Sequence, residues 1–232
     1  MDVLLIPGFW LDGASWAPVL GPLEAAGHRV HPLTLPGKDA VDADRSGIGL
    51  RDHVDAVVAR IDALDGPVVL VGHSGGGAII HAAADARPDR VARNVYVDSG
   101  PLGAGAVIND EIPTDGPDAP LPPWEFFEDA DLTDLTDELR TQFRARAVPE
   151  PARVTSDPQR LHDERRFDVP VTVIACEFSG DQLREWVAAG NPFVAELGRV
   201  RDVDIVDLPT GHWPQFTRPG DLAEALVAAV GR

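Results

Sequence analysis

Short apolar runs alternate along this chain with longer stretches in which apolar residues return every three or four positions. That is the pattern of strands alternating with amphipathic helices. Residues 3–6, 29–35, 68–71, 94–97, 171–176 and 203–208 read as strands. The run Val68-Val69-Leu70-Val71 has no polar interruption, as a parallel strand covered on both faces requires. Between the strands, residues 14–26 read as a helix interrupted near Gly21-Pro22 and closed by Gly27. Leu50, Val54, Val57, Val58, Ile61 and Leu64 fall on one helical face. Residues 78–86 read as a helix of small residues stopped by Pro88, residues 181–197 as one with Gly190-Asn191-Pro192 in its middle, and 221–230 as a closing helix. The series predicts an α/β fold: a mostly parallel sheet of about six strands with helices on both faces.

The alternation breaks once, after the strand that ends at Asp98. Residues 103–123 are rich in Gly, Pro and Asp and read as a long loop, 124–146 as helical, and 149–167 as irregular. An insertion of this length, about 101–167, reads as a lid or binding loop on a single domain spanning 1–232. Trp124, Phe126, Phe127 and Phe143 are candidates to line an apolar pocket. The plainer alternative is that they dock the insertion onto the core.

Composition narrows the function classes. With 232 residues, 44% of them apolar, the chain suits one sizeable core rather than two. A net charge of −18 argues against nucleic acid, whose phosphates need clustered Arg and Lys. Lysine is nearly absent, Lys38 being the only one, while Arg, Ala, Asp and Gly abound, a usage that fits a GC-rich bacterial genome; adaptation to high salt ranks second. The single cysteine, Cys176, excludes an intrachain disulfide and reads as a buried small hydrophobe at the end of a strand. MDVLLIPG lacks a basic leader and runs into a core strand, and no apolar stretch approaches the roughly 20 residues that span a bilayer. The expected location is cytoplasmic, with a small-molecule substrate and no membrane or nucleic-acid partner. Nothing decides the oligomeric state, a homodimer being one option.

The candidate chemistry sits at Gly72-His73-Ser74-Gly75-Gly76, between the apolar strand and the helix of small residues. This fits Gly-x-Ser-x-Gly, a sharp strand-to-helix turn that exposes a serine hydroxyl, with glycines leaving room for the turn and for close helix packing. The run lacks the Gly-Lys-Ser/Thr ending of a phosphate-binding loop and the spacing of a dinucleotide fingerprint. Gly75 follows the serine directly, so its N–H is aimed where an oxyanion develops. A serine hydroxyl needs a base and an acid that orients the base. His212, in Thr210-Gly211-His212-Trp213-Pro214 after the last strand, falls on the same sheet edge and is the candidate base. The other histidines, His28, His31, His53, His81 and His162, are scattered without metal-ligand spacing, so no metal or other cofactor is expected. His73 reads as scaffolding beside the nucleophile.

Taken together, PGFW, GHSGG, the strand-end Asp98 and GHWPQFTRP resemble a small bacterial α/β-hydrolase of the serine esterase type, and the resemblance covers essentially the whole chain. The first hairpin of that superfamily is missing, and Pro7 stands where a histidine commonly precedes the glycine. The resemblance implies that the N–H groups of Phe9 and Gly75 form the oxyanion hole. Superfamily members most often carry the acid in the loop after the strand that follows the lid, here Cys176-Glu177-Phe178-Ser179-Gly180-Asp181, where Ser179 falls at the expected aspartate. Glu177 and Asp181 are candidates there, Asp181 also suiting a helix N-cap. Other members place the acid one strand earlier, which favours Asp98, then Asp181. Trp10 and Trp213 flank the site and, with Trp124 and Phe127, are the candidate substrate pocket.

The activity expected from this set is cofactor-free hydrolysis of a carboxylic ester, lactone or thioester through Ser74, His212 and an orienting acid. Two alternatives stay open. The same Ser-His pair serves a hydroxynitrile-lyase-like or perhydrolase reaction on this fold, although the lid lacks the lysine such lyases often use; an aspartate-nucleophile dehalogenase is disfavoured because Ser74 stands in that position. A non-catalytic small-ligand receptor is the second alternative.

Overall fold

The computed structural model describes all 232 residues, Met1–Arg232. In chain order the elements are β1 (Asp2–Ile6), α1 (Ala17–Ala25), β2 (Arg29–Pro32), α2 (Leu50–Asp62), β3 (Val68–His73), α3 (Gly75–Ala86), β4 (Val91–Val97), β5 (Asp118–Ala119), α4 (Asp137–Arg146), β6 (Glu150–Pro151), α5 (Ala152–Ser156), β7 (Val171–Ala175), α6 (Gly180–Ala188), β8 (Val203–Asp207), α7 (Pro214–Thr217) and α8 (Pro219–Val230). Six strands form one sheet in the order β2-β1-β3-β4-β7-β8, every pairing parallel. All carboxyl ends therefore lie along one edge, where open parallel sheets bind ligands.

The alternation of side chains across the pleat sorts the strands between two cores. Val3, Leu5, Val69, Val71, Val95 and Val97 join Trp16, Val19, Leu222 and Leu226 on the face covered by α1 and α8. Leu4, Ile6, Val68, Leu70 and Tyr96 join Val54, Val57, Ile61, Ile79 and Ile80 on the face covered by α2 and α3. Ile112, Ala119, Leu135, Phe143 and Val154, all from the segment between β4 and β7, pack into that second core. The expected α/β architecture is thus present, with helices on both faces.

Boundaries moved where local chemistry overrode periodicity. The helix expected over 124–146 is a single 3-10 turn, Trp124–Phe126, followed much later by α4. In between, Asp131 accepts the N–H of Glu128, and Thr136 caps α4 by accepting from Leu139, so side chains take donors that a continuous helix would use. The helix expected over 181–197 ends at Ala188, because Gly190 adopts φ +67 and Pro192 cannot continue it. The stretch read as irregular, 149–167, holds β6, α5 and a 3-10 turn at Glu164–Asp168. The helix of 14–26 is divided into a 3-10 turn, Gly13–Trp16, and α1, and the strand of 29–35 closes at Pro32.

Candidate active site

The turn between β3 and α3 places Ser74 at φ 52, ψ −126, a backbone conformation that L residues rarely adopt. Only four non-glycine residues have positive φ, and three of them, Trp10, Ser74 and Asp98, sit at the carboxyl ends of adjacent strands. Each such residue costs about 1–3 kcal/mol, so the strain is concentrated on one edge of the sheet. The turn is possible because its glycines permit backbone contact: a Cβ on Gly72 would lie 2.5 Å from the Gly76 carbonyl oxygen, and one on Gly76 would lie 2.7 Å from that of Ile6.

His212 reaches this turn from the loop after β8. The Ser74 hydroxyl donates to His212 Nε2 at 2.7 Å, and His212 Nδ1–H donates to Asp98 Oδ2, also at 2.7 Å. Asp98 is buried, and its other oxygen accepts the N–H groups of Cys176 at 3.0 Å and Glu177 at 3.1 Å. A second carboxylate faces the same imidazole nitrogen, with Glu177 Oε1 2.7 Å from Nδ1. Burial pushes the Asp98 carboxyl up, but hydrogen bonds from His212 and Glu177 outweigh it and hold the group below the ordinary aspartate value. Burial drives Glu177 up to about 8 against the pull of His212. Burial lowers His212, yet its two carboxylate partners raise it to about 10. The trio as a unit therefore keeps its protons to higher pH than an isolated histidine and carboxylate. Its ligand atoms lie within 4.8 Å of one another, and this is the one group in the chain with metal-ligand geometry. Here a 2.7 Å hydrogen bond already joins His212 Nδ1 to Asp98, and Glu177 stands at ion-pair distance from the same nitrogen without a hydrogen bond of its own.

Residues 3–225 match the model of the alpha/beta hydrolase family. The chain belongs to that family. A pyrethroid hydrolase of Sphingobium wenxiniae is 38% identical over 97 residues, which cover 41% of this chain and 35% of that protein. An esterase of rice, Oryza sativa subsp. japonica, is 35% identical over 99 residues, covering 40% of this chain and 37% of the relative. The chain thus aligns with little more than a third of the length of these curated relatives. An extracellular alpha/beta-hydrolase from a Paenibacillus species, described as sharing structural and functional homology with tobacco salicylic acid binding protein 2, superposes with a TM-score of 0.77 over 100% of both chains. At 20% identity that likeness speaks for the fold alone.

In this alpha/beta hydrolase the other residues singled out from sequence fall in different places. Asp181 is not at the site: it is exposed on the first turn of α6 and pairs with Arg184. Nor is it the helix cap, because Ser179 accepts the N–H of Gln182 and fills that position. Glu177, from the same loop, does reach His212. Gly75 packs against Phe9, whose ring carbons lie 2.6 Å from where a Gly75 Cβ would be. Trp10 and Trp213 are buried, Trp213 edge-on to His212 with centroids 5.1 Å apart. Phe127 touches both tryptophans edge-on, and Trp124 meets Phe127 and Trp213, so the four candidate pocket aromatics form one continuous wall. Cys176 is buried, and burial pushes its thiol well above the ordinary cysteine value.

Further groups support the site, among them His73, the residue expected as scaffolding. His73 Nε2–H donates to the His212 carbonyl at 2.6 Å while Gln215 donates to His73 Nδ1 at 3.1 Å, which braces the histidine loop. Burial, then the neighbouring His212 charge, holds His73 at a pKa of about 3, so it stays neutral in this role. The segment between β4 and β7 grips the same loop: Asp131 and Thr133 carbonyls accept from His212 N–H at 2.9 Å and Gly211 N–H at 3.1 Å. It also holds the loop after β1, where Trp10 Nε1–H donates to the Ala119 carbonyl and Val148 N–H donates to that of Trp10. No helix is long and apolar enough to cross a membrane.

Proposed function

We propose that this alpha/beta hydrolase cleaves ester bonds of small molecules by covalent catalysis at Ser74. The observation that carries the reading is the continuous hydrogen-bond chain Ser74 Oγ, His212 Nε2, His212 Nδ1 and Asp98 Oδ2, with 2.7 Å at each link, hung from a strained strand-to-helix turn. The curated relatives, a pyrethroid hydrolase and an esterase, support ester chemistry.

In this mechanism His212 takes the hydroxyl proton as Ser74 Oγ attacks the ester carbonyl carbon, and the Phe9 and Gly75 N–H groups receive the developing oxyanion. Collapse expels the alcohol, which leaves with the proton from His212. Water then attacks the acyl-enzyme with His212 as base, which releases the acid and restores Ser74. Asp98 keeps Nδ1 protonated, so that Nε2 is the free acceptor, and stabilises the imidazolium. The half-buried Trp124 and Phe127, with buried Trp10 and Trp213 behind them, offer an apolar wall to the substrate's acyl or alcohol group. The segment 101–167 serves as a fixed cap on a single domain, and the protein works without a cofactor in the cytoplasm.

The test is intact mass after treatment with a fluorophosphonate, followed by a panel of short-chain esters. A single adduct on the wild type, absent from Ser74→Ala, together with ester turnover, supports the reading. A folded wild type that takes no adduct and turns over no ester refutes it.

A further inference from the structure

Lys38, the only lysine in the chain, is almost completely buried. Its ammonium contacts the Glu150 carboxylate, itself buried, on β6 of the segment between β4 and β7. It also donates to the Gly8 carbonyl oxygen at 3.2 Å, where Leu11 N–H is a second donor at 3.3 Å. Gly8 C=O and Phe9 N–H belong to one trans peptide unit. Its planarity makes the two bonds point in opposite directions, so whatever holds the carbonyl also aims the N–H. Gly8 itself packs against the nucleophile, since a Cβ there would lie 2.9 Å from Ser74 Cβ. The Phe9 N–H donates to no acceptor within the protein.

We propose that Lys38 is a positioning residue for the oxyanion site: through the Gly8 carbonyl it fixes and polarises the Phe9 N–H, and Glu150 from the inserted segment holds the lysine in place. The inference deepens the esterase reading and rests on it for the role of the Phe9 amide. A cation on the carbonyl withdraws electron density across the amide and makes its N–H a stronger donor, the cooperative effect of linked hydrogen bonds in a low-dielectric site. The hydrogen bond that fixes the carbonyl is kept even where the proton shifts toward Glu150, because an N–H remains to donate, while the full polarisation belongs to the ammonium form. The cost of burying the pair also has a local reason. A buried ion pair is often replaceable by apolar residues without loss of stability, so its presence under this loop points to a purpose other than stability.

The deciding variant replaces both partners, Lys38→Met with Glu150→Met, so that no lone charge is left buried. The expected result is a thermal midpoint close to wild type and a roughly tenfold loss of kcat on p-nitrophenyl acetate at unchanged KM. This is less than the roughly hundredfold or greater loss from deleting an oxyanion donor outright. The Phe9 amide 15N resonance, which follows hydrogen bonding at the preceding carbonyl, moves upfield. A folded double variant with wild-type kcat, or one whose loss lies in KM, overturns the proposal. If the double variant does not fold, the wild type decides. Its single lysine gives one 15Nζ resonance, which shifts when phenylboronic acid caps Ser74 and loads the oxyanion site; a stationary resonance under saturating boronate overturns the proposal. If no ester is turned over and no boronate binds, the hydrolase reading has failed. The Phe9 15N shift in the double variant then still tests the Lys38 contact alone, and an unchanged shift refutes it.

Discussion

Replacing Asp98 with asparagine separates a single orienting acid from a shared one. Asp98 accepts the N–H groups of Cys176 and Glu177 on one oxygen and His212 Nδ1–H on the other. In Asp98→Asn the amide oxygen keeps the two backbone donors, so its NH2 turns toward Nδ1 and opposes the tautomer that catalysis needs. In a site with one acid, such a change costs about 10⁴ in kcat. Here Glu177 Oε1 also stands 2.7 Å from Nδ1 and can take the N–H over. The loss then reduces to about one charge-assisted hydrogen bond, roughly 2 kcal/mol. That corresponds to about a thirtyfold fall in kcat. Asp98→Asn combined with Glu177→Gln removes both acceptors and should fall by about 10⁴. The assay is kcat and KM on an ester that the wild type turns over, with the fluorophosphonate labelling rate as a probe of serine activation. A single Asp98→Asn variant as slow as the double would refute the sharing of Nδ1.

The same trio shapes the pH dependence. Asp98 and Glu177 raise His212 to about 10, so the neutral base form is the minority species below that value and grows with pH, and kcat/KM should still be rising between pH 7 and 9. Glu177→Gln removes one raising partner and moves the acid limb to lower pH; an unmoved limb in a pH–rate series counts against the contact. For stability, a histidine held at about 10 when folded and near 6.5 when unfolded stabilises fully below about pH 6.5, and that contribution is lost as pH rises toward 10. The thermal midpoint should therefore drop between pH 7 and 10, less steeply in His212→Gln, as scanning calorimetry across that range would reveal. Gly76→Ala sets a Cβ 2.7 Å from the Ile6 and 2.8 Å from the Pro7 carbonyl oxygens. Because backbone must yield, it should cost about 3 kcal/mol in urea unfolding, and a loss under 1 kcal/mol would contradict the close packing at the turn.

The sequence by itself determined the architecture and pointed to the serine and the histidine at its centre. Uninterrupted β-branched runs can be satisfied only as covered parallel strands, and helices between them must return to the same edge, so Ser74, Asp98 and His212 were bound to meet at one end of the sheet. Gly72 and Gly76 declared the tight turn in advance because no other residue fits there. Chain order alone did not choose among Asp98, Glu177 and Asp181, since a strand-end acid reaches the histidine only if its loop turns inward. Tertiary structure decided that: Asp98, at positive φ 44, turns toward His212, Glu177 follows it, and Ser179 takes the cap and leaves Asp181 to solvent. The inserted segment was legible as an interruption and not as a shape, because Asp and Thr side chains compete there with the backbone for its donors. Lys38 gave no signal of its own, for a lysine beside Pro-Gly reads as surface. Only packing brought it under the Gly8 carbonyl, 112 positions from the glutamate that holds it.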